Sequence, residues 1–275
     1  MINEITIGQY YQVDSAIHRL DPRVKLSGTL IFIIALFVIK EFAAYLIVAA
    51  FLFCVIRLSK VPFGYMVRGM KAILFLLLIT VVFNLFLTPG EPLVSLWKLT
   101  ITKEGLVFAV KMALRLTFLI LGCSIMTLTT TPNQLTDAME SMMNPLTRIR
   151  VPVHEIAMMM SIALRFIPIL MEETDKIMKA QMARGADFES RHLITRIKSL
   201  IPLLVPLFIS AFHRANDLAM AMESRCYRGG SGRTKMKPLV YHGRDLAAYA
   251  VLAVFLGVCI ASRILLSKAG IPWSL

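Results

Sequence analysis

Histidine and cysteine, the usual carriers of chemistry, are scattered in this chain. The histidines at 18, 154, 192, 213 and 242 include no pair at i and i+4, and the cysteines at 54, 123, 226 and 259 form no Cys-x-x-Cys. Neither spacing builds a zinc or redox site, so no metal is expected. Cys54, Cys123 and Cys259 lie inside apolar runs and read as small hydrophobes. The nearest approach to a phosphate loop, Gly64 to Gly69, is followed by Met70-Lys71-Ala72 where such a loop needs Gly-Lys-Ser/Thr. Nucleophile elbows, His-Glu-x-x-His helices and paired catalytic carboxylates are likewise missing from the sequence. The chain is therefore expected to be a non-catalytic protein that binds no cofactor directly.

Arginine is different. Ala183-Arg184-Gly185 and Ser224-Arg225-Cys226 each close a long stretch with helical periodicity. A cation in the last turn complements the helix macrodipole, which is one reading of both positions. The other is recognition: a guanidinium is a rigid fork of donors, and two long helices each delivering one to a tip suit docking into grooves on partners. Around the two tips little else matches beyond Ala180 and Ala221, so no internal duplication is claimed. Thirteen of the 17 methionines fall between Met126 and Met236, among them Met139, Met142, Met143, Met158, Met159 and Met160. Methionine fills irregular seams and also suits surfaces that meet several partners. Three in a row cannot all face one seam, so part of Met158 to Met160 must meet another surface.

The elements that carry these residues are set by the solvent. At 57% hydrophobic residues, with a mean hydropathy of +0.70, the chain has more apolar surface than one soluble core can hide. The net charge of +13 comes from basic residues set between apolar runs without interleaved aromatics, which favours an anionic membrane surface over nucleic acid. The N-terminal residues Met1 to Ser15 lack both a basic start and an apolar stretch, so the first membrane helix must serve as the targeting signal. Apolar runs at 26–39, 42–56, 70–88, 112–130 and 246–262 predict five transmembrane helices. The first two are only about 21 to 23 Å long against a hydrocarbon core of roughly 30 Å. Lys25, Lys40 and Arg57 would then snorkel, and a re-entrant hairpin is the alternative.

Basic residues flank both ends of the first hairpin while Lys40 stands alone at its tip, which places both ends in the cytoplasm. Residues 89–104 then lie outside and 131–243 inside. Lys98, Lys103, Lys111 and Arg115 run against this charge bias at the external end of the fourth span. None of the five runs holds an Asp or Glu, which argues against a gradient-driven carrier. Arg115 is a full charge three residues inside the 112–130 run and reads as snorkelling to the interface, with a buried role as the alternative.

Residues 131–243 carry 15 Lys+Arg and 10 Asp+Glu, yet apolar residues recur there at helical spacing. Pro132 suits a helix start, and Pro145 with Pro152 marks a break. One long helix is predicted from Pro152 to about Ala183, kinked at Pro168 and ended by Gly185. A second is predicted from Glu189 to about Arg225, bent near Pro202 and Pro206 and stopping before Gly229. The expected fold is all-α: residues 1–130 as an N-terminal membrane region of four spans, 131–243 as a cytoplasmic domain of long amphipathic coupling helices, and 244–275 as the last span with an external tail.

Read together, Leu20-Asp21-Pro22-Arg23-Val24-Lys25-Leu26, Ala163-Leu164-Arg165-Phe166-Ile167-Pro168, Ala183-Arg184-Gly185-Ala186 and Glu223-Ser224-Arg225-Cys226-Tyr227-Arg228-Gly229-Gly230 resemble one family over nearly the full length. It is the T component of energy-coupling factor (ECF) transporters, the CbiQ-like transmembrane subunit. The resemblance implies a multi-pass protein of the prokaryotic cell membrane. Its implied partners are two ABC ATPase subunits, as a homodimer or heterodimer, and one or several substrate-binding S components for vitamin or micronutrient uptake. ATP and Mg would sit on the ATPases. Ala183, Arg184, Gly185, Ser224, Arg225 and Cys226 would seat in grooves on them, while the apolar face of the coupling helices, with Met139, Met142, Met143, Met158, Met159 and Met160, would grip the S component. The stretch from Glu223 to Gly230 looks most like subunits of modules shared among several vitamin binders. Cys226 departs from the glycine often found at that position of the family pattern, which puts the form of the second helix ending in question. The alternatives are a gradient-driven carrier, an ordinary importer permease that lines the substrate route itself, and a membrane scaffold without a transport role.

Overall fold

The structure is a computed structural model that describes residues 10–39, 41–89, 92–96, 99–186, 188, 193–230, 234, 236 and 238–268. Two compact units are present, one formed by residues 8–138 with 239–275 and the other by 139–238 with 1–7.

The larger unit is a helix bundle. Its elements are α1 (Pro22–Val38), α2 (Phe42–Ser59), α3 (Phe63–Leu87), α4 (Lys103–Thr129) and, from the far end of the chain, α8 (Gly243–Lys268). α4 packs on α1, α2 and α3, and α8 on α1 and α2. Phe32, Leu36, Val48, Leu121, Ile125 and Phe255 meet in the core, where Phe51 stacks on Phe255 with ring centroids 4.1 Å apart. Each of the five apolar runs falls on one of these helices. α4 and α8 are long and apolar enough to cross a membrane, while Ala44–Ser59 and Leu77–Phe86 are shorter apolar helical stretches.

Between α3 and α4, in the segment that the sequence places outside the membrane, the structure has a small antiparallel ribbon, β1 (Pro92–Leu96) with β2 (Leu99–Thr102). Alternating Leu, Val, Ile and Thr give those residues β propensity that no helical pattern opposes. Thr102 then caps α4: its Oγ1 accepts from the Gly105 amide at 3.0 Å and donates to the Thr88 carbonyl at 2.9 Å, tying the end of α3 to the start of α4. This cap starts α4 nine residues before the apolar run at 112.

The segment around Asp21 is a clasp. Asp21 caps α1 by accepting from the Arg23 amide at 2.8 Å and pairs with the Arg23 guanidinium at 3.0 Å. Arg23 lies 3.8 Å over the Tyr241 ring. Asp245, 2% exposed, accepts from the Asp21 amide at 2.9 Å and the His242 amide at 2.8 Å, locking the start of α8 to the start of α1. Burial pushes the Asp21 carboxyl up, but the hydrogen bonds from Arg23 outweigh it and hold the group below the usual carboxylate range.

Lys25 departs from the expectation that it snorkels. It is 8% exposed, and its ammonium donates to the carbonyls of His18 at 3.1 Å and Thr129 at 2.8 Å. Two orphan carbonyls, one at the end of α4, draw it inward. Arg57 stays exposed over the Phe53 ring, and Lys40 lies outside the described residues. Half-buried Arg115 donates to the Ile39 carbonyl at 3.1 Å and the Tyr45 hydroxyl at 3.2 Å, so it caps the end of α1. With Thr129 level with Lys25 and Arg115 level with Ile39, α4 extends about 18 Å past the α1–α2 turn.

The other unit holds the end of α5 (Pro132–Met143), a short 3-10 helix at Asn144–Ile149, α6 (Val153–Ala183) and α7 (Leu193–Ser224). α5 opens with a reciprocal cap between Thr131 and Gln134, the Gln134 amide donating to Thr131 Oγ1 at 3.3 Å and the Thr131 amide to Gln134 Oε1 at 3.2 Å. Pro168 lies inside α6, and Pro202 and Pro206 inside α7, as the sequence predicted. The predicted start of the second helix at Glu189 lies outside the described residues. By length and composition α6 also qualifies to cross a membrane, although it was read as amphipathic. Its apolar part precedes a charged stretch from Glu172 to Lys179.

Candidate functional site

The two arginine tips end in the same backbone motif. At the end of α6 the Gly185 amide donates to the Met182 carbonyl at 2.9 Å and the Ala186 amide to the Gln181 carbonyl at 3.0 Å. At the end of α7 the Cys226 amide donates to the Glu223 carbonyl at 2.8 Å and the Tyr227 amide to the Met222 carbonyl at 3.0 Å. This paired pattern is the Schellman ending, which satisfies carbonyls that a helix C-terminus leaves open. It requires a left-handed residue just after the cap, and Gly185 at φ +87° and Cys226 at φ +56° supply it. The departure from glycine at Cys226 therefore leaves the form of the ending unchanged, and a side chain is carried where glycine is preferred. In both motifs the arginine is the capping residue itself. Arg184 and Arg225 are exposed, and neither guanidinium makes a hydrogen bond or ion pair among the described residues. Ala183 and Ser224 are exposed beside them.

α6 and α7 run antiparallel. The Arg214 guanidinium donates to Glu173 Oε2 at 3.1 Å, and Gln181 Nε2 donates to the Pro202 carbonyl at 3.2 Å, so positions rising along one helix meet positions falling along the other. The second bond has a covalent cause. Proline at 206 has no N–H, so the carbonyl four residues earlier, that of Pro202, lacks its helical partner. Gln181 from the other helix takes that place. Because the pair is antiparallel, the two arginines sit at opposite ends of it, separated by roughly 35 Å at 1.5 Å per residue.

The second tip is buttressed. His154, near the start of α6, has Nδ1 3.0 Å from Glu140 Oε1 on α5. The chain leaving α7 turns at Gly229, φ +91°, and lays Gly230 against the His154 ring. A Cβ at 230 would stand 2.3 Å from His154 Cδ2, so only glycine fits there. Both glycines of the sequence motif thus have mechanical roles, one in the turn and one in the close approach.

The methionines divide. Met142, Met159 and Met160 are exposed, whereas Met139, Met143 and Met158 are half-buried. A larger apolar surface went unremarked in the sequence: Leu200, Leu204, Phe208 and Phe212 form an exposed stripe on α7, with Phe208 72% and Phe212 60% exposed. Their spacing of four was the available signal, masked by two prolines in the same run. No group of three His, Cys, Asp or Glu side chains converges among the described residues.

Known proteins resemble the chain along most of its length. The family model CbiQ, described as cobalt transport protein, matches residues 14–236. The chain belongs to the CbiQ family. A protein of Clostridium kluyveri, named energy-coupling factor transporter transmembrane protein EcfT, is 55% identical over 96% of this chain and 98% of its own length. The proteins of the same name from Thermosediminibacter oceani and Bacillus subtilis are 54% and 46% identical over 95% and 92% of this chain, and 99% and 96% of their own lengths. As a member of this family of ECF-transporter T components, the chain is an all-α, multi-pass protein of the cell membrane.

Proposed function

We propose that this CbiQ-family protein transmits the ATP-driven closure of two ABC ATPase subunits to a substrate-binding S component, in an importer for vitamins or other micronutrients. The observation that carries the reading is the pair of equivalent tips: one arginine with an exposed, unengaged guanidinium caps each of two antiparallel helices, roughly 35 Å apart. A helix end is a stiff lever, and a guanidinium held by a capping motif offers directional, charge-assisted hydrogen bonds to a groove. Ala183, Arg184 and Gly185 would meet one ATPase, and Ser224, Arg225 and Cys226 the other. ATP and Mg would be bound by those subunits, leaving this chain without catalysis.

The exposed stripe of α7, from Leu200 to Phe212, with Met142, Met159 and Met160, would meet the S component. Residues 131–243 would then be the coupling domain on the cytoplasmic face, between a membrane region of residues 1–130 and the last span at 244–275. An apolar face presented by two helices pinned at two points moves as one body when the tips move.

The test is uptake by reconstituted complexes. Arg184→Ala and Arg225→Ala should each lower uptake about tenfold or more, consistent with loss of a charge-assisted contact, while membrane insertion is unchanged. The double substitution should be worse than either alone, because the sites are far apart. Unchanged uptake in the double variant would rule out docking through these residues.

A further inference from the structure

Beyond the coupling role, the membrane bundle contains a groove that the helix pair does not explain. It encloses about 410 Å³ between α1, α2, α4 and α8 and is apolar along most of its length, with Phe32, Leu52, Ile125 and Leu252 on its walls. Two cations, Lys25 and Arg244, line it at the end where α1 and α8 begin.

Lys25 is buried with no carboxylate bonded to it. Of its three N–H groups, two donate to the carbonyls of His18 and Thr129, and the third has no partner among the described residues. Its near neighbour Asp21 is engaged with Arg23, and Asp245 is engaged with two backbone amides. Arg244 is exposed, and its guanidinium makes no hydrogen bond or ion pair among the described residues. A buried ammonium without a bonded counter-ion is costly unless an anion reaches it. The occupant that satisfies both ends has an anionic head for Lys25 and Arg244 and an acyl chain for the groove. We infer that this groove is a binding site for one anionic phospholipid, its phosphate held by Lys25 and Arg244 and one chain lying along Phe32 and Leu252. A free phosphate would leave the apolar walls unfilled, and a neutral lipid would leave the two cations without a net counter-charge.

The test is native mass spectrometry of the full chain purified in mild detergent and exchanged with phosphatidylglycerol or phosphatidylcholine. The wild-type protein should retain one phosphatidylglycerol, with phosphatidylcholine held roughly tenfold more weakly. Arg244→Gln, at an exposed position the fold does not use, should reduce phosphatidylglycerol retention by about tenfold. Ala248→Phe, which leaves both cations in place and fills the groove, should reduce retention of either lipid. Equal retention of the two lipids overturns the site, as does unchanged retention in either variant.

Discussion

The capping residues of α6 and α7 show how a single backbone angle can carry a functional geometry. Cys226 sits at φ +56°, a region that costs a non-glycine residue about 1 to 2 kcal/mol. Cys226→Gly should therefore raise the stability of the α7 ending by about 1 kcal/mol without moving Arg225. Gly185→Ala should do the reverse at Arg184. Thermal unfolding of the two variants in detergent should shift in opposite directions, and a same-sign shift would argue against the shared ending. Gly230 makes a second residue-scale case. Gly230→Ala forces a Cβ to within 2.3 Å of His154, so the chain from Arg225 to Gly230 must shift and uptake should fall. Adding His154→Ala removes the obstructing ring. Uptake in the double variant that recovers beyond the Gly230→Ala level would establish the steric cause; no recovery would assign the loss to something else.

At the scale of elements, the prolines inside α7 and the packing of α6 are one feature. Pro206 frees the Pro202 carbonyl, and Gln181 fills it from the neighbouring helix. Gln181→Leu should cost about 0.5 to 1 kcal/mol through loss of that exposed hydrogen bond. In a Pro206→Ala background the helix regains its own amide donor, so the same substitution should cost much less. A double-mutant cycle on unfolding in detergent measures this directly, and a coupling energy near zero would mean that Gln181 does not serve the carbonyl freed by Pro206. The Arg214–Glu173 pair lies further along the same seam and, half-exposed, contributes less than its distance suggests.

For the whole molecule, docking requires the arginine tips to lie on the cytoplasmic side of the membrane, and α6 has the length and composition of a span. The native cysteines give the test without new substitutions. Cys226 is exposed at the end of α7, while Cys54, Cys123 and Cys259 lie on α2, α4 and α8 within apolar stretches. A membrane-impermeant thiol reagent should label Cys226 in inside-out vesicles and not in right-side-out ones, with little labelling of the other three. Labelling from the outer side would place the tips away from the cytoplasm and remove the basis for ATPase docking.

Much of this was legible in the sequence. Apolar runs against a net charge of +13 dictated a membrane bundle, because no aqueous core can absorb that much hydrocarbon. Prolines and glycines set where α5, α6 and α7 begin, bend and end, since their backbone limits act locally. The paired arginines and the resemblance they carried also came from the sequence alone. What the tertiary structure decided were the matters that depend on neighbours far along the chain. Lys25 is buried because carbonyls at His18 and Thr129 meet above it, and Arg115 is held by a helix end 76 residues away. Gly230 is required because of His154, and the two tips point apart because α6 and α7 pair antiparallel. Periodicity reports which face of a helix is apolar but not what the face meets, and that is fixed only when distant segments compete for the same space and the same hydrogen bonds.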